Sequence, residues 1–228
     1  MDTTVIEFLN QFANSSPLTD RLIGLWANNK ILKGGVITAL FCWAWFSLAA
    51  ESRERKILFT TLLATPVIIL AARMLALYLP FRARPIHNES LDFELPAGIS
   101  RGTLDGWSSF PSDHAVLYFG LAVGMFAASK RLGVVAIAYA LIFIGLPRVY
   151  LGLHYPSDVL GGAAIGGALM LTAIYLFSDS RIMTRIDKWA EGQPGLFYAL
   201  SFLVLYQVAD LFGESRKIAS IIAHSTSP

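Results

Sequence analysis

The stretch ILFTTLLATPVIILAARMLALYLPF, residues 57–81, holds a single charged side chain, Arg73, in a run otherwise free of charge. A bilayer core of ~30 Å is crossed by about 20 mostly apolar residues in helical conformation, and lipid offers no partner to an unpaired backbone group. The stretch therefore predicts a membrane-crossing helix. Working outward, five further runs come close to the same length: residues 31–50, 108–129, 132–147, 158–178 and 194–209. The charged or tight turns at 51–56 and 130–131 separate neighbouring runs. Composition agrees, since 55% of the 228 residues are hydrophobic and only 15% charged, against roughly 25% charged in soluble domains. The fold class expected is all-α, a polytopic membrane protein with six transmembrane helices over residues 31–213.

The flanks differ. In residues 1–30, Val5, Ile6, Phe8, Leu9 and Phe12, then Leu18, Leu22, Leu25 and Trp26, recur at helical spacing among polar residues. That pattern predicts amphipathic helices lying on the membrane surface. No basic segment precedes an apolar core at this end, so no cleaved leader is expected. Residues 82–107 form the one long polar loop, and 214–228 are read as a C-terminal tail. The net charge of +2 and the lack of a Lys/Arg run give no reason to expect nucleic acid as a partner. Cys42 is the sole cysteine, which excludes an intrachain disulfide and a cysteine metal cage. The turns 51–56, 130–131 and 178–193 carry Arg53, Arg55, Lys56, Lys130, Arg131, Arg181, Arg185 and Lys188, and the positive-inside tendency places them in the cytoplasm.

Polarity gathers at membrane borders in three places: Arg82-Ala83-Arg84-Pro85, Pro111-Ser112-Asp113-His114, and the run holding Arg148, His154 and Asp158. The first follows the second apolar run and the next opens the third. The chain then crosses, turns at 130–131 and returns with the last, so helix parity alone puts all three on one face. Ser112 stands where a helix N-cap belongs, and a helix start with free N–H groups and partial positive charge suits a phosphate. Asp158 follows His154 by four residues. On one helical face its carboxylate reaches the imidazole, fixes the tautomer and leaves the other ring nitrogen free as a nucleophile.

On these residues the sequence resembles the type-2 phosphatidic acid phosphatase and vanadium haloperoxidase superfamily. That signature runs Lys/Arg-x6-Arg-Pro, then Pro-Ser-Gly-His, then Ser-Arg-x5-His-x3-Asp. Arg84-Pro85 matches the end of the first part, residues 111–114 the second, and Arg148 through Asp158 the third. The resemblance is to the membrane-integral lipid phosphatase branch. It implies His154 as the nucleophile that forms a phosphohistidine, Asp158 orienting its ring, and His114 as general acid and then base. It further implies Arg84, Arg148 and Ser112 as holders of the phosphoryl oxygens, with no metal or other cofactor. The implied substrate is a membrane lipid phosphate or pyrophosphate, such as undecaprenyl pyrophosphate, phosphatidylglycerophosphate, phosphatidic acid or phosphorylated lipid A. A lipid phosphotransferase using the same intermediate, and a lipid transporter, are the alternatives.

Three positions depart from the signature. Leu77 stands where the family has Lys, Asp113 replaces Gly, and Pro147 replaces Ser. The Asp113 backbone N–H can still serve the phosphate, while Arg73 or Arg82 is expected to supply the missing cation. His87 and His224 lack such flanks and read as surface residues, and Gly161, Gly162, Gly166 and Gly167 read as helix-packing positions. The expected setting is a bacterial inner membrane, multi-pass, with the site facing the periplasm.

Overall fold

The computed structural model describes residues 2–49 and 52–215; the expected tail, His224 included, lies almost wholly outside them. Every element of regular structure among the described residues is helical. The chain begins with α1 (Asp2–Asn10) and α2 (Pro17–Asn28), the latter capped by the Ser16 hydroxyl, which accepts from Thr19 N. Next come α3 (Ile31–Ser47), α4 (Arg53–Tyr78), α5 (Asp113–Ala128), α6 (Lys130–Tyr150), α7 (Pro156–Phe177), α8 (Arg181–Gly192) and α9 (Pro194–Ala209). Helices α4, α6 and α7 have 26, 21 and 22 residues and are long and apolar enough to cross a membrane. At 1.5 Å per residue α4 is about 39 Å long. The apolar helices α3, α5 and α9 are shorter. The structure thus holds three clear spans and three shorter apolar helices where six comparable runs were expected.

Two boundaries moved for local reasons. The third apolar run starts its helix only at Asp113, because residues 108–112 are held as a loop: Ser109 N donates to Arg82 O at 2.8 Å and Ser112 N to Asp158 O at 3.3 Å. The segment 178–193, read as a turn, is instead the helix α8. Ser180 caps it by accepting from Met183 N at 3.1 Å, and Met183 is buried at the core while Ile186 and Ala190 pack against it. A charged segment too polar to cross can still be a helix when its apolar residues recur on one side.

The bundle centres on α5, which packs against α4 and α7. A side chain at Gly166 of α7 would collide with the Val116 backbone of α5, so the absence of a Cβ is what lets these two helices meet. The main core joins Phe41, Leu58, Leu62, Leu117, Tyr118, Leu121, Met125 and Ile144 from α3 to α6. A second cluster lies at the other end of the bundle. There Ile6 and Ala27 of the N-terminal helices pack with Ile86 and Phe93 of the long loop and with Leu151, Leu153, Tyr155 and Val159. Phe8, Phe12, Leu18, Leu22 and Leu25 stay exposed on the outside of α1 and α2.

These N-terminal helices are anchored by a buried carboxylate. Asp20 has no exposed surface and accepts from Tyr150 OH, from Ala97 N at 2.8 Å and from Asn14 N at 3.0 Å. Burial alone raises its pKa, but the three hydrogen bonds outweigh that and hold the group below the ordinary carboxylate range. The second cluster and the anchor together form a roof over one end of the bundle, where the three motif segments arrive.

Candidate active site

Four pieces of chain deliver the polar side chains. Arg84 comes just past α4, Ser112 to His114 open α5, Arg148 sits in the last turn of α6, and His154 to Asp158 bridge α6 to α7. The parity expectation places these on one face, and the structure brings them into contact.

His154 is buried, at 5% exposure. Its Nδ1 lies 2.7 Å from the carbonyl oxygen of Ser109. A carbonyl can only accept, so Nδ1 carries the proton and Nε2 keeps its lone pair. That lone pair faces the Nη1 of Arg84 at 3.2 Å. Burial, reinforced by the positive charge of Arg84, pushes the imidazole pKa well below its usual range, so the ring is neutral at physiological pH. The expected direct bond from Asp158 is absent: its Oδ2 stands 3.9 Å from Nδ1. The Ser109 carbonyl occupies that place. Asp158 acts one residue removed, accepting from Ser109 Oγ at 2.5 Å, Tyr155 N at 2.7 Å and Arg82 Nη1 at 2.5 Å. Sequence reasoning missed Ser109, which has neither motif nor periodicity to mark it.

Arg84, 5% exposed, is also a brace for the backbone. It donates to Trp107 O at 3.1 Å, Leu153 O at 2.5 Å and Ser108 O at 3.0 Å. Burial pushes its pKa down to about 10, against the pull of Asp113 and Asp158, and the group remains cationic. It ties the long loop, the approach to α5 and the histidine segment together around the His154 ring.

The second histidine lies against the second arginine. Arg148 Nη2 is 2.8 Å from His114 Nε2 and donates to Ala27 O, at the end of α2, at 2.6 Å. Arginine only donates, so His114 Nε2 accepts and the ring stands in its base form. Two polar atoms beside it are left over. Ser112 occupies the N-cap position, but its hydroxyl makes no capping bond. Ser112 Oγ and Arg148 Nε are buried and make no hydrogen bond among the described residues. Buried polar groups are normally paired, and two orphan donors beside a pair of histidines suit an oxyanion.

The two candidate substitute cations are each held by a carboxylate of the motif segments. Arg82 donates to Ser157 Oγ at 2.9 Å, Asp158 Oδ1 and Asp2 Oδ2 at 2.8 Å, and its guanidinium stacks 4.2 Å from the Tyr155 ring centre. Arg73 is ion-paired with Asp113 and lies 5.0 Å from the Trp107 ring centre. Leu77 is 78% exposed, so the position that holds the family's lysine points outward from the bundle. His87 meets only the Arg101 carbonyl, at 2.7 Å.

Comparison with known proteins converges on one family. The PAP2 superfamily model matches residues 79–182, the segment that holds all three motifs. A protein named a bacitracin transport permease, from Bacillus licheniformis, is 32% identical over 100 residues, covering 44% of this chain and 42% of that one. A putative undecaprenyl-diphosphatase of Escherichia coli is 31% identical over 83 residues, covering 36% and 42%. The chain thus spans less than half the length of these relatives. Among solved structures, a transmembrane PAP2-type phosphatidylglycerolphosphate phosphatase from Bacillus subtilis superposes with a TM-score of 0.50 over 77% of this chain and 83% of that one, at 22% identity, which is a likeness of fold. Its matched segment spans both histidine motifs, and over that segment the chain is similar to the PAP2 superfamily.

Proposed function

We propose that the protein is a membrane-integral phosphatase that hydrolyses a lipid phosphate or pyrophosphate through a phosphohistidine on His154. The observation that carries this reading is the convergence of a neutral, buried imidazole, its Nε2 lone pair free of a proton, with the orphan donors Ser112 Oγ and Arg148 Nε. A bound phosphate anion competes for Arg148 and favours the imidazolium form of His114. The His154 lone pair attacks phosphorus as the bond to the lipid oxygen breaks, and His114, protonated in that complex, hands that oxygen a proton. His114 then takes a proton from water, which attacks phosphorus, breaks the P–N bond and releases inorganic phosphate. Arg84, Arg148, Ser112 and the Asp113 N–H hold the phosphoryl oxygens and stabilise the charge that builds up on them. Asp158 holds Ser109, and through its carbonyl the ring.

All six apolar helices cross the membrane in this reading, with the site on the extracytoplasmic side. The name of the Escherichia coli relative makes undecaprenyl diphosphate the first substrate to try. A transport role is less well supported. The threonine hydroxyls within α4, those of Thr60, Thr61 and Thr65, are taken up by carbonyls of their own helix at 2.7–2.9 Å.

The test is phosphate release by the purified protein from undecaprenyl diphosphate, phosphatidylglycerophosphate, phosphatidic acid and phosphorylated lipid A. At least one should turn over, and His154→Ala should abolish release while the protein stays folded. Since guanidinium groups supply the charge that Mg²⁺ supplies in other phosphoryl transfers, release should survive excess EDTA. A folded His154→Ala protein retaining more than about a tenth of wild-type release rules out the assigned nucleophile.

A further inference from the structure

Two of the three departures from the family signature meet in space. Asp113 takes the place of the signature glycine, and Arg73 lies one helical turn before Leu77, which takes the place of the signature lysine. In the fold they are ion-paired, with side chains 26% (Arg73) and 12% (Asp113) exposed. The guanidinium of Arg73 also lies over the ring of Trp107, whose carbonyl accepts from Arg84. One tryptophan therefore contacts both arginines, and Asp113 stands in the chain directly between the motif residues Ser112 and His114.

We propose that Arg73 and Asp113 form a charge-balanced pair beside the phosphate cradle: Arg73 is there to neutralise Asp113, and the pair sets how strongly the site takes up an anion. The proposal rests on reading the site as a phosphate cradle. A carboxylate between Ser112 and His114 repels an incoming phosphate unless a cation cancels it, and in a partly dry site that repulsion is large. An arginine within an apolar helix needs a partner for the same reason. Each departure thus makes the other tolerable. Removing one member leaves a poorly solvated charge, whereas removing both can be nearly neutral. Arg73 and Asp113 also act with opposite sign on the charge of Arg84, as expected if they cancel there.

The test is calorimetric titration of orthovanadate into the detergent-purified full chain, comparing wild type, Arg73→Met, Asp113→Asn and the double variant, with lipid phosphate release measured alongside. Arg73→Met should weaken vanadate binding by roughly 10- to 100-fold, the cost of an uncompensated carboxylate near the anion. Asp113→Asn should tighten it severalfold, and the double variant should return to within about threefold of wild type. If Arg73→Met fails to fold, folding of the double variant supports the pair, and the effect of Asp113→Asn decides its influence on the anion. A double variant as weak as Arg73→Met makes Arg73 a direct phosphate ligand and overturns the proposal, as does weaker binding by Asp113→Asn. A wild type that binds vanadate in this pattern but hydrolyses none of the lipids sinks the phosphatase reading and leaves the pair standing. A wild type that does not bind vanadate overturns both.

Discussion

His154 owes its chemical state to a backbone carbonyl. Ser109 O takes the Nδ1 proton, and burial together with Arg84 holds the ring's pKa well below the ordinary imidazole value. A lowered pKa means that the neutral, nucleophilic form persists as pH falls through about 6.5, where a free imidazole would protonate. The acid limb of kcat/KM for lipid phosphate release should therefore lie below pH 6.5. Replacing Arg84 with Met removes the second cause of the depression and should move that limb upward, besides lowering the rate. A wild-type limb at or above 6.5 would contradict this assignment. Linkage has the same sign: the unfolded chain binds the proton more readily, so the contribution of His154 to stability falls as pH drops below about 6.5.

Among the elements, α1 and α2 are the ones whose attachment depends on few contacts. Asp20 accepts three hydrogen bonds in a buried place, and hydrogen bonds to a charged group contribute about 1.5–3 kcal/mol each. Asp20→Asn keeps the shape but loses the charge and should loosen both helices, at a cost of roughly 2–4 kcal/mol. Because the carboxyl pKa is lowered in the fold, its contribution is full above the unfolded value of about 3.9 and is lost as pH falls through the folded value. Limited proteolysis between α1 and α2 at neutral pH should be much faster in Asp20→Asn than in wild type. Equal rates would mean that the apolar cluster around Ile6 and Ala27 holds the helices unaided. The loosening should reach the site as well, since the end of α2 holds Arg148 through the Ala27 carbonyl. The amphipathic period of α1 and α2 was legible in the sequence, and the same period in α8 was there to be read. The high charge density of residues 178–193 masks the one-sided spacing of Met183, Ile186 and Ala190.

For the molecule as a whole, the proposed orientation follows from helix parity and the basic turns. In a Cys42→Ser background, a cysteine at Ser90 in the long loop should react with an impermeant thiol reagent on intact cells, with the outer membrane permeabilised where there is one. A cysteine at Arg131 should react only after lysis. Both positions are exposed in the fold, so a failure to label reports sidedness rather than burial. Labelling at 131 but not at 90 would invert the orientation. The sequence by itself determined the helical membrane class, the three motif segments and their arrival on one face, because hydropathy and helix parity are properties of the local chain. Only the tertiary structure decided that Ser109 stands between Asp158 and His154, that Arg82 joins Asp2 to Asp158 across 76 and 80 residues, and that Arg73 meets Asp113. Those pairings depend on which helix faces pack, and that is set by close approaches such as Gly166 against Val116, which no local period encodes.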